Sequence, residues 1–212
     1  DGIRDLVRSR GLGDVYKRQD LARDVGCTPI RCADAPGFAV NRWFVPWLNE
    51  AARLVEEGRA GIATVDAAAQ RAFGIALGPF ALMNATGPAI AAHAAHSLGR
   101  ALGPFYSPAP SLARRAEDGA PWPLEGRVDR EAFGAVADRL FAAALLAAAQ
   151  MVEEGVCRSE DCDTAARVGL RWAQGPFQLL EAWTRERAGA LVRDLAARHE
   201  DMPLPAAFRD PA

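Results

Sequence analysis

Lysine is almost missing from this chain of 212 residues: Lys17 is the only one, and from Asp20 onward every basic side chain is arginine. The arginines are scattered rather than clustered, so the chain lacks the electrostatic footprint of a nucleic-acid binder. Cysteine is scarce as well. Cys27 and Cys32 form one pair and Cys157 and Cys162 another, with four residues between partners and no histidine nearby. That spacing fits neither a zinc site nor a disulfide framework, and points to reduced thiols in a cytoplasmic protein. His93 and His96 are three apart, but no acidic residue close in sequence joins them as a metal site. Long apolar runs are absent too. The richest, "LFAAALLAAAQ", is shorter than a membrane span and closely flanked by charge. Strand-like alternation is also nearly absent, which excludes an all-β fold.

The lone lysine marks a boundary. DVYKRQ, residues 14–19, back-translates to GATGTGTATAAGAGACAG, which resembles the transposase end used in sequencing libraries. RGLG and DGIRD fit the preceding adapter bases, in frame and in order. Residues 1–19 are therefore expected to be a disordered, non-native leader whose insertion left the natural start missing. The alternative is a basic N-terminal arm. Gly11 and Gly13 follow no apolar strand, so they do not make a dinucleotide fingerprint. Without this leader, which holds five basic and three acidic residues, the formal charge of −2 becomes −4.

What is present in abundance is alanine, leucine and helical periodicity, with 50% hydrophobic residues to supply a core. Residues 20–33 read as a helix tail closed by Gly26, a turn at Thr28-Pro29 and a short strand at Ile30–Cys32, the remnant of an α/β domain. "ADAPG" follows as a linker. Val40, Phe44, Trp47, Leu48, Ala51 and Val55 then mark the buried face of a helix ending at Gly58, with Pro46 expected to kink it. Thr64 is expected to cap a second helix reaching Phe73, with Asp66 in its first turn, and Pro79 to open a third.

Shifting residues 41–84 by 97 positions gives an ungapped match. Arg42, Phe44, Leu48, Ala51 and Ala52 recur. VEEG at 55–58 meets VEEG at 152–155, Asp66 meets Asp163, and GPF at 78–80 meets GPF at 175–177. The chain is an internal duplication. Residues 107–126 are dense in proline and glycine and read as a linker or surface loop. A long helix is expected over Val128–Glu154, a Ser159-capped one after it, and an amphipathic one over Arg185–His199. Glu56-Glu57 and Glu153-Glu154 precede a terminal glycine, and read as solvated helix ends rather than catalytic carboxylates.

One ordered set of residues is specific: Pro-Gly-Phe at 36–38, Asn41-Arg42, Asn49-Glu50-Ala51, Glu56-Glu57-Gly58, Asp66 and Gly78-Pro79-Phe80. It resembles the start of the C-terminal domain of 3-hydroxyacyl-CoA dehydrogenases, and the resemblance extends over essentially all of 26–204 because some members carry two such domains in tandem. It implies an all-α fold of two related helical units, like the C-terminal region of 6-phosphogluconate dehydrogenase. Expected boundaries are 34–106 for copy 1, 107–126 for the linker, 127–204 for copy 2 and 205–212 for a tail. It further implies an NAD-dependent parent oxidising (S)-3-hydroxyacyl-CoA to 3-oxoacyl-CoA, whose missing dinucleotide domain holds NAD and a His–Glu pair.

By the same resemblance Asn41 orients the reacting oxygen and Phe38 touches the acyl-CoA substrate. The expected partners are that substrate, the missing domain, and a second copy in a homodimer or copy 2 as an internal pseudo-dimer. Arg42, repeated as Arg139, is expected to pair with a helix end. Copy 2 has Asp138 in place of Asn41 and lacks Pro-Gly-Phe, which implies a scaffold role. Asn84 stands where the family usually has aspartate. The chain alone lacks the Gly-rich turn and the dyad, and is expected to bind no NAD and show no turnover. The alternatives are a non-enzymatic assembly module and a multifunctional β-oxidation protein with a fused enoyl-CoA hydratase.

Overall fold

A computed structural model describes residues 12–199 and 202–209. The chain separates into two units, Asp1–Arg31 and Cys32–Ala212. The first contains helix α1, Leu12–Asp24, which is closed by Gly26 at φ 80 as its C-terminal signal required. This helix crosses the expected leader boundary at Asp20. Residues 12–19 are thus helical rather than disordered, and an Asp20–Arg23 pair at 2.9 Å follows on the same helix. Residues 1–11 of that expectation lie outside the described residues. The strand expected at Ile30–Cys32 does not form, because a strand needs a neighbour to bond and the described residues contain no other.

The second unit is helical. α2 (Asn41–Glu56), α3 (Ile62–Phe73), α4 (Pro79–Thr86) and α5 (Pro88–Leu102) form copy 1. α6 (Pro110–Asp118) follows. α7 (Phe133–Glu153), α8 (Ser159–Thr164) continued by a π turn over Ala165–Gly169, α9 (Pro176–Ala182) and α10 (Arg185–Ala197) form copy 2. α7 is the central rod, packed by α2, α3 and α10. By length and composition α7 could cross a membrane, but 72% of its most apolar window is buried inside this bundle. Leu140, Phe141, Leu145 and Leu146 of α7 are all at most 1% exposed. It is a core helix.

The duplication is visible in the bonding. Asp66 accepts hydrogen bonds from the N–H groups of Phe80 (2.8 Å) and Ala81 (2.9 Å), and so caps α4 from a distance. Asp163 does the same for α9 through Phe177 at 2.9 Å. A side chain at Gly78 or Gly175 would occupy the space of these carboxylates, which is why GPF recurs. Burial raises the pKa of both aspartates, opposed by the N–H donors. Because α3 begins at Ile62, Asp66 lies beyond the first turn of its own helix. Nor does Thr64 cap α3. That helix starts after Gly61, and Thr64 Oγ1 instead accepts the Asp129 N–H at 3.0 Å. This tie holds residues 128–132 outside the helix, so α7 begins at Phe133 rather than Val128. α8 begins at Ser159 with Arg158 at its cap position, and the Ser159 side chain forms no cap. α2 runs through Pro46 as one helix from Asn41 to Glu56.

The segment expected to be a loop is part of the core. α6 buries Leu112 completely, and Trp122 is 5% exposed against Phe80, ring centroids 4.8 Å apart. Asn49 fastens it: its amide donates to Ser107 O and accepts from Ala109 N, both at 2.7 Å. Asn84 does likewise for Trp122, donating to its carbonyl at 2.9 Å and accepting from its N–H at 2.7 Å. An aspartate could not donate, so the departure at residue 84 has a structural reason.

The two copies meet through reciprocal ion pairs. Arg42 of copy 1 reaches Glu154 of copy 2 at 2.5 Å, and Arg139 of copy 2 reaches Glu57 of copy 1 at 2.9 Å. These are the same two positions exchanged, the signature of a two-fold interface held within one chain. The expectation for Arg42 is met, whereas Glu57 and Glu154 are ion-pair partners rather than purely solvated residues. The symmetry breaks at Glu50, fully buried beside Arg53 and Arg139, each 2.6 Å away. Burial alone would raise its pKa, but the His199 ring and the two guanidinium groups hold it at about 2. Copy 2 has Ala147 at the matching position, and Arg42 Nε correspondingly lacks the carboxylate that Arg139 Nε enjoys.

Candidate functional site

The Pro-Gly-Phe stretch folds as a tight turn, with the Phe38 N–H donating to Ala35 O at 3.0 Å. Gly37 has φ 79, and a Cβ there would lie 2.7 Å from the Arg42 backbone nitrogen and 2.9 Å from Leu98. Only glycine fits. Phe38 itself takes φ 48, an uncommon conformation for a bulky residue that costs on the order of 1–3 kcal/mol. Despite being a large hydrophobe it is 58% exposed.

α2 starts immediately afterward. No side chain caps its first turn, so the positive end of the helix is open where Asn41 stands. Asn41 is exposed and its amide makes no hydrogen bond among the described residues, so it is not a helix cap. Its neighbours are fixed: Arg42 is buried in its pair with Glu154, and Trp43 Nε1 donates to Ala39 O at 2.9 Å. Rigid anchors on one side of the chain thus present Phe38 and Asn41 on the other.

Copy 2 treats the same place differently. Where copy 1 has the turn, α7 continues as helix through Gly134 and Ala135. Asp138, the counterpart of Asn41, is held by Arg187 at 2.8 and 3.1 Å. Arg187 in turn lies 4.5 Å over the Trp183 ring, which packs on Phe141. The counterpart of Arg187 is Ile90, 64% exposed. Copy 1 is open where copy 2 is closed.

One turn beyond Asn41, α2 forms a wall of a cleft of about 290 Å³ between the copies. Phe44, Trp47, Ile75 and Leu82 come from copy 1, and Arg171 and Trp172 from copy 2. The sequence reading missed this cleft; the signal available was the run of aromatics on α2. His93 and His96 are exposed on α5, and no metal-binding group of three or more His, Cys, Asp or Glu occurs among the described residues. Cys157 and Cys162 are buried with sulfurs 3.3 Å apart, and Cys27 and Cys32 are exposed.

The sequence model of the 3-hydroxyacyl-CoA dehydrogenase C-terminal domain matches residues 37–121 and 134–210. The chain belongs to the 3-hydroxyacyl-CoA dehydrogenase family. The match covers each copy separately, and its first segment includes α6. Human mitochondrial hydroxyacyl-coenzyme A dehydrogenase is 43% identical over 68 residues, 32% of this chain and 22% of that protein. The fatty acid oxidation complex subunit alpha of Shewanella amazonensis is 29% identical over 219 aligned positions, 89% of this chain and 31% of that protein. The chain thus spans less than a third of the length of these relatives. The crystal structure of 3-hydroxybutyryl-CoA dehydrogenase from Escherichia coli K12 superposes with a TM-score of 0.78 at 17% identity, covering 97% of this chain and 64% of that one. At that identity it shows a shared fold.

The described residues contain no strand leading through a glycine-rich turn into a helix, the arrangement that cradles a dinucleotide pyrophosphate. They do not fit NAD, and no hydride step is derived from them.

Proposed function

We propose that this chain supplies the substrate-covering region of an NAD-dependent (S)-3-hydroxyacyl-CoA dehydrogenase, with Asn41 facing the reacting oxygen and Phe38 against the acyl-CoA. Asn41 carries this reading: an exposed, unpartnered amide at an open helix start, beside a strained and exposed aromatic. An uncharged amide can donate to a 3-oxo or 3-hydroxy oxygen without disturbing a neighbouring proton acceptor. The helix end adds positive potential there. On this reading NAD and the acid–base pair are supplied by a dinucleotide domain of the parent enzyme. Copy 2 serves as scaffold, its matching site closed by Arg187. Four unbridged cysteines agree with a cytoplasmic setting.

Equilibrium binding of acetoacetyl-CoA to the 212-residue chain tests the assignment. Asn41→Ala is expected to weaken binding about fivefold, the worth of one hydrogen bond, and Asp138→Ala to leave it unchanged. An unchanged affinity in Asn41→Ala, or an equal loss in both, would contradict it. No NADH oxidation is expected from the chain by itself.

A further inference from the structure

The cleft lined by Phe44 and Trp47 contains a residue whose backbone conflicts with its side chain. Arg171 has φ 60, in the region that disfavours every residue except glycine. The repeat shows how unusual this is: its counterpart in copy 1 is Gly74, which takes φ 63 at the end of α3. The same left-handed position thus carries glycine in one copy and arginine in the other, two residues after the end of a π turn, a feature frequent at functional sites. Arg171 is exposed and forms no ion pair among the described residues. The strain therefore brings no charge pairing within the fold.

The rest of the cleft is apolar. Phe44 stacks on Trp47 at 5.6 Å, and Trp47 meets Trp172 at 5.3 Å. Trp47 is fully buried, so its ring backs the wall rather than reaching into the cleft. Phe44 and Trp47 follow Asn41 by three and six residues, which places these two wall residues about 4.5 and 9 Å along α2 from Asn41. The cleft offers methylene-binding walls and a cation that has no ion pair among the described residues.

We propose that this cleft receives the distal half of the acyl group, and that the acyl group ends in a carboxylate bound by Arg171. The inference rests on the acyl-CoA reading given above. Aromatic walls hold the methylenes, and the guanidinium takes the terminal carboxylate in the forked geometry such pairs favour. A chain ending in a methyl group would leave Arg171 unpaired, so the site selects by what terminates the chain.

Octanoyl-CoA and octanedioyl-CoA, which share chain length and differ at the far end, are the probes. Their binding to the full chain is read from tryptophan emission. The wild type is expected to bind the octanedioyl thioester about fivefold more tightly, as for one partly exposed ion pair. Arg171→Gly is expected to erase that preference while raising Tm by about 2–4 °C through relief of the left-handed strain. Arg171→Lys, which keeps the cation, is expected to retain part of the preference. Equal affinities in the wild type, or a preference surviving in Arg171→Gly, would overturn the proposal and leave the acyl-CoA reading intact. Failure of both thioesters to bind would overturn that reading and the proposal with it. A cleft occupied by a second copy would show Arg171→Gly altering the sedimentation coefficient and not the preference, and this too would overturn the proposal.

Discussion

Copy 1 and copy 2 keep one architecture and spend their variable residues in opposite ways. Both use an aspartate on the second helix to cap the third, a glycine to make room for it, and an arginine on the first helix to hold the other copy's helix end. At the start of the first helix they diverge. Copy 1 breaks the chain with Pro-Gly-Phe and leaves Asn41 free; copy 2 continues the helix and ties Asp138 to Arg187. Packing residues therefore persist where both copies need them, and the exposed amide persists in one. A duplicated module can thus leave one helix start open while its twin ties the same position shut.

The strongest test of this division is at its centre, where the symmetry fails. Glu50→Gln leaves Arg53 and Arg139 partly uncompensated and is expected to cost about 3–5 kcal/mol in urea unfolding. Arg42→Met should cost less than Arg139→Met, because Arg42 binds one half-exposed carboxylate and Arg139 binds two. A reversed order would show that the asymmetry at Glu50 and Ala147 does not govern the interface.

Acid should expose the same residue. Glu50 ionises near 2 in the folded chain against an ordinary value of 4.5. Its contribution, on the order of 3 kcal/mol, is complete above pH 4.5 and is lost as the pH falls toward 2. Unfolding midpoints measured across that window should decline more steeply for the wild type than for Glu50→Gln. Parallel slopes would contradict the assignment.

Smaller effects compare the copies directly. Asp66→Ala and Asp163→Ala should each cost about 1 kcal/mol, and should match each other, since each removes an equivalent cap. Unequal losses would limit the equivalence of the two units. At the helix starts, Asp138→Ala should cost a few tenths of a kcal/mol through loss of its exposed pair with Arg187, and Asn41→Ala should cost about nothing.

Much of this was legible in the sequence. The 97-residue register, the terminal glycines and the pairing of Arg42 with a helix end follow from spacing and from which residues recur. Other features were hidden because their partners are distant. Nothing local reveals that Asp66 caps a helix beginning at Pro79, or that Asn49 and Asn84 bind loops far along the chain. Helix α6 could have been found. Pro110 at its first position and Gly119 beyond its end are start and stop signals, obscured by the surrounding prolines. The strand misread at Ile30–Cys32 shows the opposite problem, since β-branched character means little without a neighbouring strand to pair with. The candidate site was half legible. Asn41 and Phe38 followed from the motif, whereas Arg171 becomes conspicuous only when the repeat sets it opposite Gly74.

Hydrogen exchange of the full chain with and without acetoacetyl-CoA tests the central claim most directly. The account predicts ligand-dependent protection of amides in residues 37–44 and none in the corresponding residues 134–141. Protection of both segments, or of the copy 2 segment alone, would contradict it.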